Sequence, residues 1–344
     1  MTKDISVGAG AGLVAALLFG VLLKATTLAI LLYLLAPLPI LIVGLGWSHR
    51  AALAAVVAGA LALALFISPP LGLAFAAYLA VPAWWLAYLA LLGRPGAEDA
   101  IEWYPTGRLL AWVAGTAALA FVAIAVIASP DYDTFRSQLS AMSRRVVQVQ
   151  VQRGRIPAPA QTENKADSAG TPAPQPGDEA LDSETKSDSK SNDLAGEVAD
   201  ALATVAPGLA GQGLTVLFTF YLWAAARIVQ ISGRLLRPWP DLPSTMMPRT
   251  ALLVFAAALA LAMLPGYAGV LGIALIGAFS AAFALQGLAA FHDRSRGRPG
   301  RFALLAGLYV LLFLTQGVAM LALILFGIAD TALDRRRPRA RSGA

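Results

Sequence analysis

The sequence predicts an all-α, polytopic helical membrane protein, and three observations carry that expectation. Hydrophobic residues make up 58% of the 344 and charged residues only 13%, against about 25% charged in a soluble domain. Apolar runs fill 5–127 and again 208–329, in stretches of the roughly 20 residues that cross a hydrocarbon core as helix. Between the two blocks lies a polar insert, at about 153–193.

The candidate spans are 5–23, 27–46, 51–67, 71–92, 109–128, 209–232, 250–264 and 267–291. These eight are followed by an apolar C-terminal segment at 302–329. The first follows only Lys3 as a basic flank, lacks a small-x-small cleavage site and is succeeded by many more spans. It is therefore expected to be a retained helix rather than a signal peptide. Its Gly8, Ala11, Gly12, Ala15, Ala16 and Gly20 recur at fourfold spacing and make a flat face for close helix approach. Gly8, Ala11, Gly12 and Ala15 are the helix-contact candidates, toward either a neighbour in the same chain or another subunit. Pro37 and Pro39 break the second span, and the backbone groups they free need protein or water as partners. Ser68-Pro69-Pro70 and Pro265-Gly266 mark tight turns. Residues 1–130 form the N-terminal membrane block, of about five helices.

The insert has finer structure. Tyr132, Phe135, Leu139, Met142, Val146 and Val149 recur at spacings of three and four, an amphipathic helix over 131–152. Phe135, Leu139 and Met142 are candidates for contact with a partner helix, a second copy or the membrane surface. Residues 153–193 are rich in Pro, Ala, Ser, Asp and Lys, and such a composition predicts a disordered linker. Leu194, Val198, Leu202 and Val205 then make a short amphipathic helix over 194–207. The C-terminal membrane block is 208–330 and the basic tail 331–344.

Arginines fix the expected orientation. Arg50, then Arg94 and Arg108, then Arg234, Arg237 and Arg249, then Arg294, Arg296, Arg298 and Arg301 fall in alternate connections. The turns at 68–70 and 265–266 carry none, so the basic loops and the N-terminus are expected in the cytoplasm and the insert 130–207 outside it. The basic tail also belongs in the cytoplasm. As one helix, 302–329 would be about 42 Å long, against a core of about 30 Å. A hairpin broken at Thr315-Gln316-Gly317 satisfies the charges, and one long tilted helix is the alternative.

Absences narrow the chemistry. No cysteine occurs, which removes disulfides, thiolate nucleophiles and cysteine metal sites. His49 and His292 sit near arginines without a carboxylate set, so no metal site is expected. No phosphate-cradling Gly-rich loop is present, and no Asp or Glu lies inside a confident span, Asp330 standing at the edge of the last. A self-powered carrier usually holds such a group at the midplane. No catalytic residue and no cofactor is expected. The net charge of +6 is accounted for by the cytoplasmic loops, which excludes nucleic acid as the expected partner. The polar groups at membrane depth, Arg227, Gln230, Gln286 and Gln316, are the ligand candidates. For Arg227 the alternative is snorkelling to the headgroups, and for the glutamines it is interhelical bonding.

Three features carry a resemblance: membrane blocks flanking a soluble insert, the stretch from Pro37-Leu38-Pro39 to Gly44-Leu45-Gly46, and the run Gly327-Ile-Ala-Asp330-Thr-Ala-Leu-Asp334-Arg335-Arg336. In these the chain resembles the YybS-like family of uncharacterised bacterial polytopic membrane proteins. The core of that family is similar to the substrate-binding subunits of energy-coupling-factor transporters. The resemblance implies a bacterial inner-membrane protein that holds a small molecule and borrows an external ATPase. It also implies that the Ala11-x-x-x-Ala15 face docks on a membrane partner. Those subunits have about six spans and no long insert, and here the chain departs from them. The function expected is thus a non-catalytic binding or transport-type subunit. The alternative is a cell-envelope scaffold acting through its extracytoplasmic helices, with a membrane protein or a second copy as partner.

Overall fold

The computed structural model describes residues 2–24, 26–96, 100–152, 179–315 and 317–333. Among the described residues, seven helices are long and apolar enough to cross a membrane, and helix dominates.

The N-terminal block begins with α1 (Thr2–Gly20), α2 (Thr27–Leu35) and α3 (Pro37–Gly46). Thr26 caps α2 by accepting from the Ala29 N–H at 3.1 Å, which satisfies one of the orphan donors of the first turn. Pro37 and Pro39 do not end the segment. They sit at the start of a new helix, where the missing N–H groups have no intrahelical partner anyway. Then α4 (His49–Phe66), capped by Ser48, packs along α1. A Cβ at Gly8 would overlap the carbonyl oxygen of Ala51, and one at Gly12 that of Ala55, so the backbones meet with no side chain between them. The small-residue face of the first span is therefore filled by the chain's own α4. Ala15 is completely buried and Ala11 half-buried. Of the two alternatives for this face, a neighbour in the same chain or another subunit, the first is the one the packing of α1 on α4 matches.

A five-residue π turn (Ala76–Ala80) joins α5 (Pro69–Phe75) to α6 (Val81–Ala90). Pro82 has no N–H to offer Tyr78, so the ladder widens there instead of continuing in α register. An antiparallel hairpin, β1 (Gly93–Pro95) and β2 (Ile101–Trp103), follows, with Arg94 opposite Glu102 and an ion pair between them at 2.7 Å. Strands depart from the all-α expectation. Three residues each, flanked by Gly and Pro, give no periodic signal to read. The first block ends with α7 (Thr106–Ala128).

The residues up to Ala128 and from Pro207 onward form one compact unit, and Ser129–Ala206 forms another. In the second unit Asp131 caps α8 (Tyr132–Gln152) by accepting from the N–H and hydroxyl of Thr134, both at 2.9 Å. These bonds hold its carboxyl below the ordinary range. The expected apolar stripe is only half used. Phe135 and Leu139 are half-buried, but the buried line continues through Ser143 and Val147, and Met142 is 64% exposed. The covered positions follow spacings of four, which turn slowly around a helix of 3.6 residues per turn. Val146 and Val149 are likewise exposed.

The next helix, α9 (Glu179–Ile231), is longer than expected and contains Pro207. Of the linker at 153–193, residues 153–178 lie outside the described residues, while 179–193 is already helix and 194–207 belongs to the same element. Extending an existing helix needs no new nucleus. Its buried position in the insert unit is Ala199, not Val198 or Val205, which are exposed.

After a connection over 232–249 come α10 (Thr250–Leu261), α11 (Gly266–Arg294), α12 (Arg301–Thr315) and α13 (Gly317–Leu333). The expected span 250–264 is a helix of only 12 residues, about 18 Å long. The C-terminal segment is two helices, with the junction Gln316 and the tail 334–344 outside the described residues. Gly287 and Gly327 let α11 and α13 touch backbone to backbone. Two apolar cores share α7: one gathers α1, α3, α4, α6 and α9, the other Met247, α10 and α11 with α13 packed against it.

Candidate functional site: a cavity under a tethered loop

A partly open cavity of about 510 Å³ lies at the end of the membrane unit that carries the arginine-rich loops. Its walls come from the start of α7 (Thr106, Leu109, Val113), the last turns of α9 (Thr219, Leu222, Trp223) and the last turns of α11 (Leu285, Leu288, His292). Leu45 and Leu91 line it from the N-terminal block, and the connection 232–249 closes it with Leu235, Arg237, Trp239 and Thr245. The volume falls within the range of small-molecule sites, about 300–1,000 Å³, which are mostly apolar with a few placed polar groups.

The connection has little regular structure beyond one short turn at Leu242–Ser244, and anchors along its length fix it. Arg234 lies over the Trp47 ring at 4.3 Å, and Arg227 of α9 over Trp239 at 5.3 Å, both within cation–π range. Arg237 donates to the Ala90 carbonyl at 3.0 Å. Asp241 pairs with Arg296, which lowers the Asp241 carboxyl from its ordinary value and raises the guanidinium. The main-chain N–H of Met247 donates to Gln286 Oε1 at 2.9 Å. Gly107 presses against the Met246 carbonyl, where a Cβ would overlap it.

Gln286 is the centre of a buried polar chain. Its Nε2 donates to Asp330 Oδ2 at 3.0 Å, and Arg294 reaches Asp330 Oδ1 at 3.3 Å while covering the Phe326 ring. The Asp330 side chain is completely buried. A buried carboxylate is tolerable only when paired and hydrogen-bonded, and here both conditions are met. The chain thus does bury an acid, which its place at the edge of the last apolar run concealed.

The four ligand candidates from the sequence do not converge. Gln286 has both ends of its amide committed to protein. Arg227 donates to Gln230 Oε1 at 2.6 Å, so these two satisfy each other on the flank of the cavity wall without lining it. Gln316 lies outside the described residues. The polar groups that do line the cavity are Thr106, Thr219, Thr245, Arg237 and His292. His292 Nδ1 lies 2.9 Å from the Leu288 carbonyl, and its ring packs edge-on against Tyr309. Burial pulls the half-buried Arg237 guanidinium down from its ordinary value. The one signal for Arg237 is its setting in Arg237-Pro-Trp-Pro240, a rigid loop that carries an aromatic anchor. In the first core, Tyr33 and Tyr78 pack half-buried against the cluster that contains Tyr221.

Fold and site together define a helical protein of the membrane type, with an apolar cavity closed by a multiply anchored loop. The chain matches no protein-family model, no curated protein and no solved structure.

Proposed function

We propose that this chain is a non-catalytic integral membrane protein that binds a small, largely apolar molecule in the cavity under the 232–249 connection. The observation that carries the reading is the cavity itself, which has the size and lining of a ligand site and draws its walls from both membrane blocks. The chemistry around it supports binding rather than reaction. Gln286, Asp330 and Arg294 are engaged with one another, and the Arg237 guanidinium on the cavity wall is the charged group placed to orient a ligand. In this reading the protein is a transport-type subunit that takes its energy from a partner, as its resemblance to the YybS-like family implies.

The proposed setting is a bacterial inner membrane, with N-terminus, basic loops and C-terminus cytoplasmic and the insert outside. The seven long helices and α10 each cross, and α12 and α13 together enter and leave on the cytoplasmic side. The absence of native cysteine permits a direct test with an impermeant maleimide on intact cells. A cysteine at Ser187 is expected to label and one at Ser342 to stay dark. Labelling at Ser342 would remove the re-entrant C-terminal pair.

A second reading, an envelope scaffold, is favoured by the exposed Met142, Val146 and Val149 on α8, an apolar row that water does not favour. One purification separates the two readings. Native mass spectrometry of the protein is expected to show a bound small molecule that is depleted in Ala289→Trp, because Ala289 of α11 lines the cavity and the new indole would fill it. A co-purifying envelope protein that is lost on deleting 131–206, with no small molecule in either sample, would reverse the order of the readings.

A further inference from the structure

We infer that the occupant of the cavity is an acidic amphiphile, whose anionic group seats on Arg237 while its apolar body lies along Val113, Leu222, Trp223, Leu235, Trp239 and Leu285. The inference rests on the proposal that the cavity binds a small molecule, and it specifies the chemical class.

The argument begins with a charge that lacks a counter-charge. An arginine keeps its proton under any physiological condition, and a half-buried cation is costly unless an anion or several acceptors compensate it. Arg237 has five N–H donors available in principle, and its hydrogen bond is the one to the Ala90 carbonyl at the C-terminal end of α6. The carboxylates at this end of the bundle are committed elsewhere: Asp241 to Arg296, Asp293 also to Arg296, and Asp330 to Arg294. Among the described residues no carboxylate forms an ion pair with Arg237.

The second step concerns shape. The cation stands on the wall of a cavity whose other surfaces are overwhelmingly apolar. A small inorganic anion would neutralise the guanidinium and leave the rest of the volume unfilled. A neutral hydrocarbon would fill the volume and leave the guanidinium uncompensated. A molecule with a carboxylate or phosphate at one end and an apolar body at the other does both, and a planar guanidinium binds either group in bidentate fashion. The same chemistry is offered by a soluble fatty-acid-like molecule and by an anionic lipid of the surrounding leaflet.

The test uses the full-length protein in phosphatidylcholine nanodiscs, with tritiated dodecanoate and tritiated dodecanol as a matched pair at neutral pH. Saturable binding of dodecanoate is expected, about tenfold or more tighter than dodecanol, the scale of one charge-assisted hydrogen-bonded contact. Arg237→Gln should weaken dodecanoate to the level of dodecanol and leave dodecanol unchanged, whereas Arg237→Lys should keep a preference for the acid. Retained dodecanol binding shows that the Gln variant is folded. Equal binding of acid and alcohol by the native protein overturns the acidic ligand and leaves the cavity reading standing. Saturable binding of neither probe, with Ala289→Trp indistinguishable from native, overturns both. Replacing part of the phosphatidylcholine with phosphatidylglycerol then assigns the source. Displacement of dodecanoate identifies the anionic lipid as occupant, and undiminished binding identifies a soluble acid.

Discussion

Replacing Gly8 and Gly12 together with leucine is expected to give the largest loss of stability of any change in α1. At both positions the neighbour is main chain, the carbonyls of Ala51 and Ala55, and main chain cannot rotate out of the way as a side chain can. Over-packing of a filled interface costs about 1–3 kcal/mol per site and occasionally more. The two sites lie on one face, one turn apart, so α1 must be displaced from α4 along its length. Gly10, two residues from each of them in the sequence and with open surroundings, is the internal control: Gly10→Leu is expected to change little. Thermal unfolding in detergent, followed by near-ultraviolet dichroism or aggregation, reads the difference. Equal midpoints for the double variant and the control would show that α1 does not lie on α4 in this way.

The second large effect is expected at Gln286. Gln286→Leu keeps the bulk but removes the acceptor for the Met247 N–H and a donor to the buried Asp330 carboxylate. A buried polar group left unsatisfied costs about 1–3 kcal/mol, and breaking a buried charged network by removing one member costs about 3–5 kcal/mol. A loss of about 3 kcal/mol or more is expected, together with faster proteolysis within 232–249, because that connection loses its anchor to α11. Asp330→Asn should be milder, since the amide oxygen still accepts from Gln286. A Gln286→Leu protein with native unfolding behaviour and an equally resistant connection would remove Gln286 from the role of keystone.

These two sites differ in how far the sequence exposes them. The α1 interface is legible because Gly8, Gly12 and Ala16 repeat at one helical face, a local property that spacing alone reveals. What spacing leaves open is which helix fills the face, and the answer, α4, depends on packing among elements far apart in the chain. Gln286 is visible as a polar residue in an apolar run, but its partner Asp330 stands 44 residues away, at a position that reads as the end of a span. Only the azimuth at which α13 meets α11 turns that edge residue inward. The cavity is less legible still, because Val113, Leu222, Arg237 and Leu285 are each ordinary in their own segments and become a site only when four elements converge. On α8 the spacing of three and four names a face, but which side of that face is covered depends on what packs there, and Met142 lies outside while Val147 lies inside.

Helix α12 contains no buried residue, and Phe302, Phe313 and Leu314 are among the most exposed side chains of the chain. Apart from Tyr309 on His292 and its contact with α13, its shape is maintained by its own main-chain ladder and by whatever hydrocarbon surrounds it. Its conformational free energy is therefore a property of the solvent more than of the sequence around it. A stretch so placed opens at a cost well below that of the global transition, and it is the part of the molecule whose hydrogen exchange follows the choice of lipid or detergent while α1 and α4 exchange at a rate that the solvent barely alters.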